Sequence, residues 1–330
     1  MKMNNVGLIS KNDNSTVVSL YEGLVRKNTG YQSEDELEKE FIKTLTEQGY
    51  EYLTFSSEQE LIDNLRKKLE ELNHYSFTDN EWKVLFNNHI ANKNDGIVDK
   101  TRTIQKDYIK NITLDDGSIK NIRLIDKDNI HNNKLQVINQ YVNNGTRDNR
   151  YDVTILVNGL PLVHVELKRR GKTLREAFNQ IDRYQRDSFW ANSGLYEYVQ
   201  VFIISNGTYT KYYSNTTRNL HIKNKNNNIK SSSTFEFTSY WADQKNNTII
   251  DLIDFAKTFC SKHTLLNVLT KYCIFTSNEE LMVMRPYQIV ATEKILNKIE
   301  IANNYKWAGT IKAGGYIWHT TGSGKTLTSF

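Results

Sequence analysis

Apolar positions recur at helical spacing from residue 34 to 48, behind the acidic opening Glu34-Asp35-Glu36-Leu37-Glu38. Ser33 is placed to cap this helix and Gly49 to stop it. Residues 57–70 repeat the pattern, with Leu61, Leu65 and Leu69 on one stripe. From about 90 to 150 the periodicity weakens into short strands and turns. Two alternating runs, 151–157 and 162–168, then flank Asn158-Gly159 and predict a hairpin. A helix is expected over about 173–187. The nearly all-apolar run 198–204, ending at Asn206-Gly207, reads as a buried central strand. Residues 214–233, rich in Asn, Ser, Thr and Lys, read as a long surface loop. Helical patterns return at 248–272 and 285–300, and a short apolar strand at 316–318 runs into a Gly-rich turn. No repeat is visible. The order predicts an α/β fold: a mixed sheet flanked by helices over 1–250, then a second unit over 251–330, with the boundary near 245–260.

The hairpin pattern carries a register argument. With a two-residue turn at Asn158-Gly159, Asp152 faces Val165, and Glu166 points to the other side of the sheet. With a loop one residue longer, and Gly159 in its left-handed position, Asp152 lies opposite Glu166. The second register puts Val153, Ile155, Val157, Val163, Val165 and Leu167 on one apolar face. The other face carries Asp152, Thr154, His164, Glu166 and Lys168. A slip of one residue would drive charges into the core, so the patterning selects the longer loop. Two convergent carboxylates suit Mg²⁺, a hard ion that keeps waters and completes its shell with substrate phosphate. Lys168 on the same face is placed to orient a water and offset transition-state charge. The bland reading of the same residues is an exposed hairpin face with a Glu/Lys pair. On the following helix Gln180 and Tyr184 are four apart and share a face with Ala177, which as an ordinary reading is a polar helix surface and as a functional one sets an amide and a phenol over the metal site to hold a phosphate or base.

Composition narrows the class. A chain of 330 residues is more than one compact core usually holds. No apolar run approaches the ~20 residues that span a bilayer, and the opening Met1-Lys2-Met3-Asn4-Asn5 lacks a secretory core. Cys260 and Cys273 are too few for a disulfide framework or zinc cluster. A cytoplasmic protein without a membrane partner is therefore expected. The net charge of +5 allows a nucleic-acid partner without requiring one. Lys168, Arg169, Arg170, Lys172 and Arg175 fall within eight positions, with Arg183 and Arg186 following on the helix.

Near the end, Thr320-Thr321-Gly322-Ser323-Gly324-Lys325-Thr326 has the character of a phosphate-binding loop. Its backbone N–H groups would cradle phosphates, Lys325 would reach the β- and γ-phosphates, and Thr326 would bind Mg²⁺. Upstream, Pro286 opens a helix in Arg285-Pro286-Tyr287-Gln288, and the Gln288 amide suits an adenine edge.

These residues resemble known families. Asp152, Glu166-Leu167-Lys168 and Gln180-x-x-x-Tyr184, behind an acidic helix, resemble PD-(D/E)xK nucleases of the RecB-like kind, although Tyr151 stands where the family name has Pro. The resemblance implies metal ligation by Asp152, Glu166 and the Leu167 carbonyl, and catalysis completed by Lys168. Such folds sometimes add an acid at the position of Glu38. The loop with His319 as its first residue, preceded by Gln288, resembles superfamily 2 helicases and the opening of a RecA-like lobe. The order of the two, over essentially the whole chain, is similar to the R (motor) subunit of type I restriction enzymes. That resemblance implies Mg²⁺ and ATP as cofactors and double-stranded DNA as substrate. It also implies specificity and methyltransferase subunits as partners. Residues 1–330 stop four residues after Thr326, short of the family's acidic Mg²⁺ motif, arginine finger and second lobe. ATP hydrolysis by this chain alone is therefore not expected. A silent DNA-docking module and a repair nuclease attached to a helicase stay open as alternatives.

Overall fold

The computed structural model describes residues 17–23, 30–144, 148–215, 235–320 and 322–324. Most of the expected 214–233 loop lies outside them, as do Thr321, Lys325 and Thr326 of the phosphate loop.

Ser33 starts α1 (Glu34–Glu47) with a reciprocal capping box to Glu36. After the short β1 (Glu51–Leu53), α2 (Glu58–Asn73) buries Leu61, Leu65 and Leu69, the stripe seen in its sequence. Two further helices, α3 (Asp79–Leu85) and α4 (Ile97–Gln105), precede a separate hairpin of β2 (Ile109–Thr113) and β3 (Ile119–Arg123).

The main sheet adds β4 (Leu135–Asn144), β5 (Asp148–Val157), β6 (Leu160–Leu167), β7 (Val201–Ser205) and β8 (Thr210–Ser214), in the order β1-β4-β5-β6-β7-β8. The β1–β4 and β6–β7 pairs are parallel and the rest antiparallel, so the sheet is mixed. Helix α5 (Leu174–Asp187) makes the β6–β7 crossover and packs on both strands. β7 lies between β6 and β8 and is buried along its whole length, the interior strand its apolar run announced. It begins at Val201 because residues 195–198 form a 3₁₀ turn instead.

The hairpin departs from the expected loop. Val157 pairs with Leu160, so the turn has two residues, with Asn158 at φ 52° and Gly159 at φ 84°. A bulge at Leu162 supplies the extra residue, and the ladder from Ile155↔Val163 to Val153↔Val165 then runs in the expected register. The turn is held short by its surroundings: a Cβ on Gly159 would lie 2.6 Å from Leu65 Cα. Asn158 is also tied to Lys134 N and Asn133.

Beyond a small hairpin of β9 (Trp241–Ala242) and β10 (Thr248–Ile249), whose second strand takes the first two residues of the helical pattern expected over 248–272, the rest of that pattern forms two helices. These are α6 (Leu252–Thr258) and α7 (Lys262–Thr270), broken where Ser261 caps the second. A third hairpin, β11 (Cys273–Phe275) and β12 (Leu281–Val283), leads to α8 (Pro286–Asn304). Residues 316–318 form no strand; among the described residues nothing pairs with them, and Tyr316 and Trp318 are exposed. No described helix is long and apolar enough to cross a membrane.

Candidate functional site

Glu166 sits on an interior strand with its side chain fully buried, while Asp152 on the neighbouring strand is half-buried. The Asp152 carboxyl accepts a hydrogen bond from Leu167 N at 2.8 Å and lies within hydrogen-bonding reach of Glu166. Lys168 Nζ donates to Glu166 Oε1 at 2.8 Å and to the Leu167 carbonyl at 2.9 Å. The three residues expected together are therefore together, with the Leu167 carbonyl beside them.

Burial and the charge of Glu166 push Asp152 up to about 7, and burial pushes Glu166 up to about 7 against the pull of Lys168 and the contact with Asp152. Burial disfavours the Lys168 ammonium, but Glu166 and Asp152 outweigh it and hold Lys168 above its ordinary value. Glu166 Oε2 is a buried oxygen with no hydrogen-bond partner, and so is Gln140 Oε1. An unsatisfied oxygen on one of two neighbouring buried carboxylates is the chemistry a hard cation relieves. Among the described residues no cluster of three or more His, Cys, Asp or Glu could hold a metal. Two carboxylates and a carbonyl suit an ion that keeps most of its waters, such as Mg²⁺.

Gln180 and Tyr184 also meet. Gln180 Nε2 donates to the Tyr184 hydroxyl, which donates to the Arg150 carbonyl at 3.0 Å, just ahead of Asp152. Burial raises Tyr184 well above the ordinary phenol range, with Glu166 and Asp152 adding to it. The pair braces the backbone that leads into Asp152. Glu38, on α1, is nearly buried and accepts from the side-chain amides of Asn139 and Gln140. Burial raises it against those bonds, and the charge of Asp152 adds to the rise.

Gln140 was not singled out from sequence. It interrupts the β4–β5 ladder between Asn139↔Val153 and Tyr141↔Tyr151, with φ 52°. Nothing in the local pattern marks a left-handed Gln inside a strand. His164 was seen only as one residue of the polar face; it is fully buried, its Nε2 3.6 Å from Glu166 Oε2.

The basic run is partly engaged. Arg170 donates to Gln32 and Thr208, Lys172 pairs with Glu176 at 3.3 Å, and Arg175 lies over the Phe235 ring. Arg183 stacks on Tyr184, and Arg186 faces Asp182 at 3.5 Å.

At the far end, α8 brings Gln288 to the Gly-rich turn. Gln288 Nε2 donates to the Ser323 carbonyl at 3.1 Å, and its Oε1 accepts from Arg285 N at 2.8 Å. Gly324 packs so closely that a Cβ there would meet Gln288 Nε2 at 2.5 Å. These residues, with Gly322 and Arg285, line a cavity of about 370 Å³.

Residues 31–221 match the family described as type I restriction enzyme R protein N terminus. The chain belongs to that family. Residues 281–330 match a second, the type III restriction enzyme res subunit. Among curated relatives of this R-protein chain is the type I restriction enzyme EcoprrI endonuclease subunit of Escherichia coli. It is 47% identical over 88% of the chain and 90% of that relative. The SsaAORF53P endonuclease subunit of Staphylococcus saprophyticus is 41% identical over 91% of the chain, which spans only 30% of that relative. A C-terminal part of the putative MpnIIP endonuclease subunit of Mycoplasma pneumoniae is 57% identical over 27% of the chain.

Proposed function

We propose that this R-protein chain is the DNA-cleaving portion of a type I restriction–modification enzyme and hydrolyses phosphodiesters with Mg²⁺. The observation that carries the reading is the convergence of Asp152 and Glu166 with Lys168 bridging Glu166 and the Leu167 carbonyl. Relatives named as type I endonuclease subunits support it.

Asp152, Glu166 and the Leu167 carbonyl would hold the ion. When bound, it would lower the pKa of a coordinated water and offset charge on the phosphate. Lys168 is held protonated by the two carboxylates, so it acts as a hydrogen-bond donor and positive charge rather than as a base. It orients the attacking water and steadies the phosphate oxygens as the new P–O bond forms and the bond to the leaving oxygen breaks. Gln180 and Tyr184 keep the strand entering Asp152 in place. The basic side chains of 168–186 offer charge complementarity to double-stranded DNA.

Residues 251–330 are read as the opening of a RecA-like motor lobe, with Gln288, Thr321, Gly322, Ser323, Gly324, Lys325 and Thr326 toward ATP. The match to the res-subunit family over 281–330 and the approach of Gln288 to the Gly-rich turn support this. Specificity and methyltransferase subunits are the proposed partners.

Asp152→Ala and Lys168→Ala, each in the full restriction complex with Mg²⁺ and ATP, are expected to lower DNA cleavage by about 10²–10³-fold. Folding and assembly should be preserved. Cleavage at the wild-type rate in either variant would leave the sheet as a docking module.

A further inference from the structure

His164 lies on β6 two residues before Glu166, and its side chain is completely buried. Its Nε2 and Glu166 Oε2 are both buried without a hydrogen-bond partner, and they face each other at 3.6 Å. Each has given up water without gaining a partner, which is costly for a buried polar atom. One proton on Nε2, with an approach of about half an ångström, satisfies both. The other ring nitrogen fixes where that proton sits. Nδ1 is 3.4 Å from Thr154 Oγ1, which is 3.3 Å from the Tyr196 hydroxyl. If Tyr196 donates to Thr154 and Thr154 donates to Nδ1, then Nδ1 accepts and Nε2 carries the hydrogen. The ring is fully buried, which favours the neutral imidazole, in which one nitrogen carries the hydrogen and the other accepts. The ring is clamped edge-on by Tyr151, Tyr184, Phe189 and Phe202, which leaves it little freedom to swing away.

We infer that His164 is a positioning residue: its Nε2–H holds Oε2 of Glu166 while Lys168 holds Oε1, so that the carboxylate enters the metal site in one orientation. This rests on the reading of Asp152 and Glu166 as metal ligands. A second neutral donor fixes the carboxylate without adding charge beside the ion, which a second lysine would do.

The tautomer of His164 in the metal-free full chain, read by long-range ¹H–¹⁵N NMR, is expected to be Nε2–H. An Nδ1–H tautomer overturns the inference. Mn²⁺ affinity, measured by electron paramagnetic resonance, is expected to fall about 10–100-fold in His164→Ala. His164→Gln places an amide N–H near the position of Nε2 and should recover most of the loss. His164→Asn mimics Nδ1 instead and should not. Wild-type affinity in the alanine variant, or equal losses in all three variants with the fold intact, assigns His164 to packing alone and overturns the inference. If the wild-type chain itself binds no Mn²⁺, the metal reading fails, and the tautomer still decides whether the His164–Glu166 bond exists.

Discussion

Asp152 and Glu166 do not ionise independently. Each is pushed up to about 7 from the ordinary carboxylate range, by burial and, for Asp152, by the partner's charge. Such groups carry a proton in the folded chain that the unfolded chain has already lost. Their contribution to stability is complete below the ordinary carboxylate pKa and is lost as pH rises through about 7. A cation reverses the sign of the effect by taking the proton's place. Thermal melts of the metal-free chain should therefore fall in midpoint from about pH 5 to about pH 8, and Mn²⁺ should restore most at the upper end. Apparent Mn²⁺ affinity should rise by up to about tenfold per pH unit until the pair is ionised. Asp152→Asn removes one acid of the pair and should flatten both profiles; a midpoint indifferent to pH in the wild type would contradict the coupling.

Elements carry the site only because their ends are fixed. α1 brings Glu38 toward Asp152, and its start depends on Ser33, so Ser33→Ala should cost about 1 kcal/mol in urea unfolding. Gly159→Ala should cost more. Strain at φ 84° is worth roughly 1–3 kcal/mol before the approach to Leu65 Cα at 2.6 Å is counted. Sequence pattern recovered those elements whose apolar positions are uninterrupted: α1, α2, the hairpin strands, α5, β7 and α8. It passed over α4, whose buried face includes Lys100, Thr101 and Thr103 beside Ile97 and Ile104. It also passed over β4, which buries Gln136 and Asn143 among its apolar residues. Buried polar groups satisfied by distant partners look solvent-facing to a one-dimensional reading. The hairpin register was legible because charge in a core is costly. Where its extra residue sits was not, because the choice between turn and bulge is made by Leu65 on α2, nearly a hundred residues away. The residues 316–318 show the converse: strand-like composition without a neighbouring strand gives extended, exposed backbone.

Taken as a whole, the molecule does not divide in its packing where its proposed functions divide. One apolar cluster runs from Val17 and Leu37 through the sheet to Phe255, Leu266 and Ile289. The Tyr50 hydroxyl donates to the Cys260 carbonyl at 2.7 Å, Leu252 N to Gly207 O at 3.3 Å and the Tyr212 hydroxyl to the Met284 carbonyl at 3.3 Å. Elsewhere the buried Lys100 joins α4 to the loop before β7 through Glu197 at 3.4 Å and the Gly194 carbonyl at 2.8 Å. Removing Glu197 alone leaves that ammonium buried and should cost about 3–5 kcal/mol. Replacing both, as in Lys100→Met with Glu197→Leu, should cost much less, because no charge is then stranded. The helices after residue 250 pose the larger test. If they are structurally part of the same body, the full chain should unfold in urea as one transition by both circular dichroism and tryptophan fluorescence. A chain ended at residue 250 would expose the apolar surface that α6 and α7 cover and leave the Tyr50 and Tyr212 hydroxyls without their acceptors. It should have a markedly lower urea midpoint and bind hydrophobic dye. A fragment that keeps the full chain's midpoint would show that the division between cleavage and motor portions is a division in folding as well.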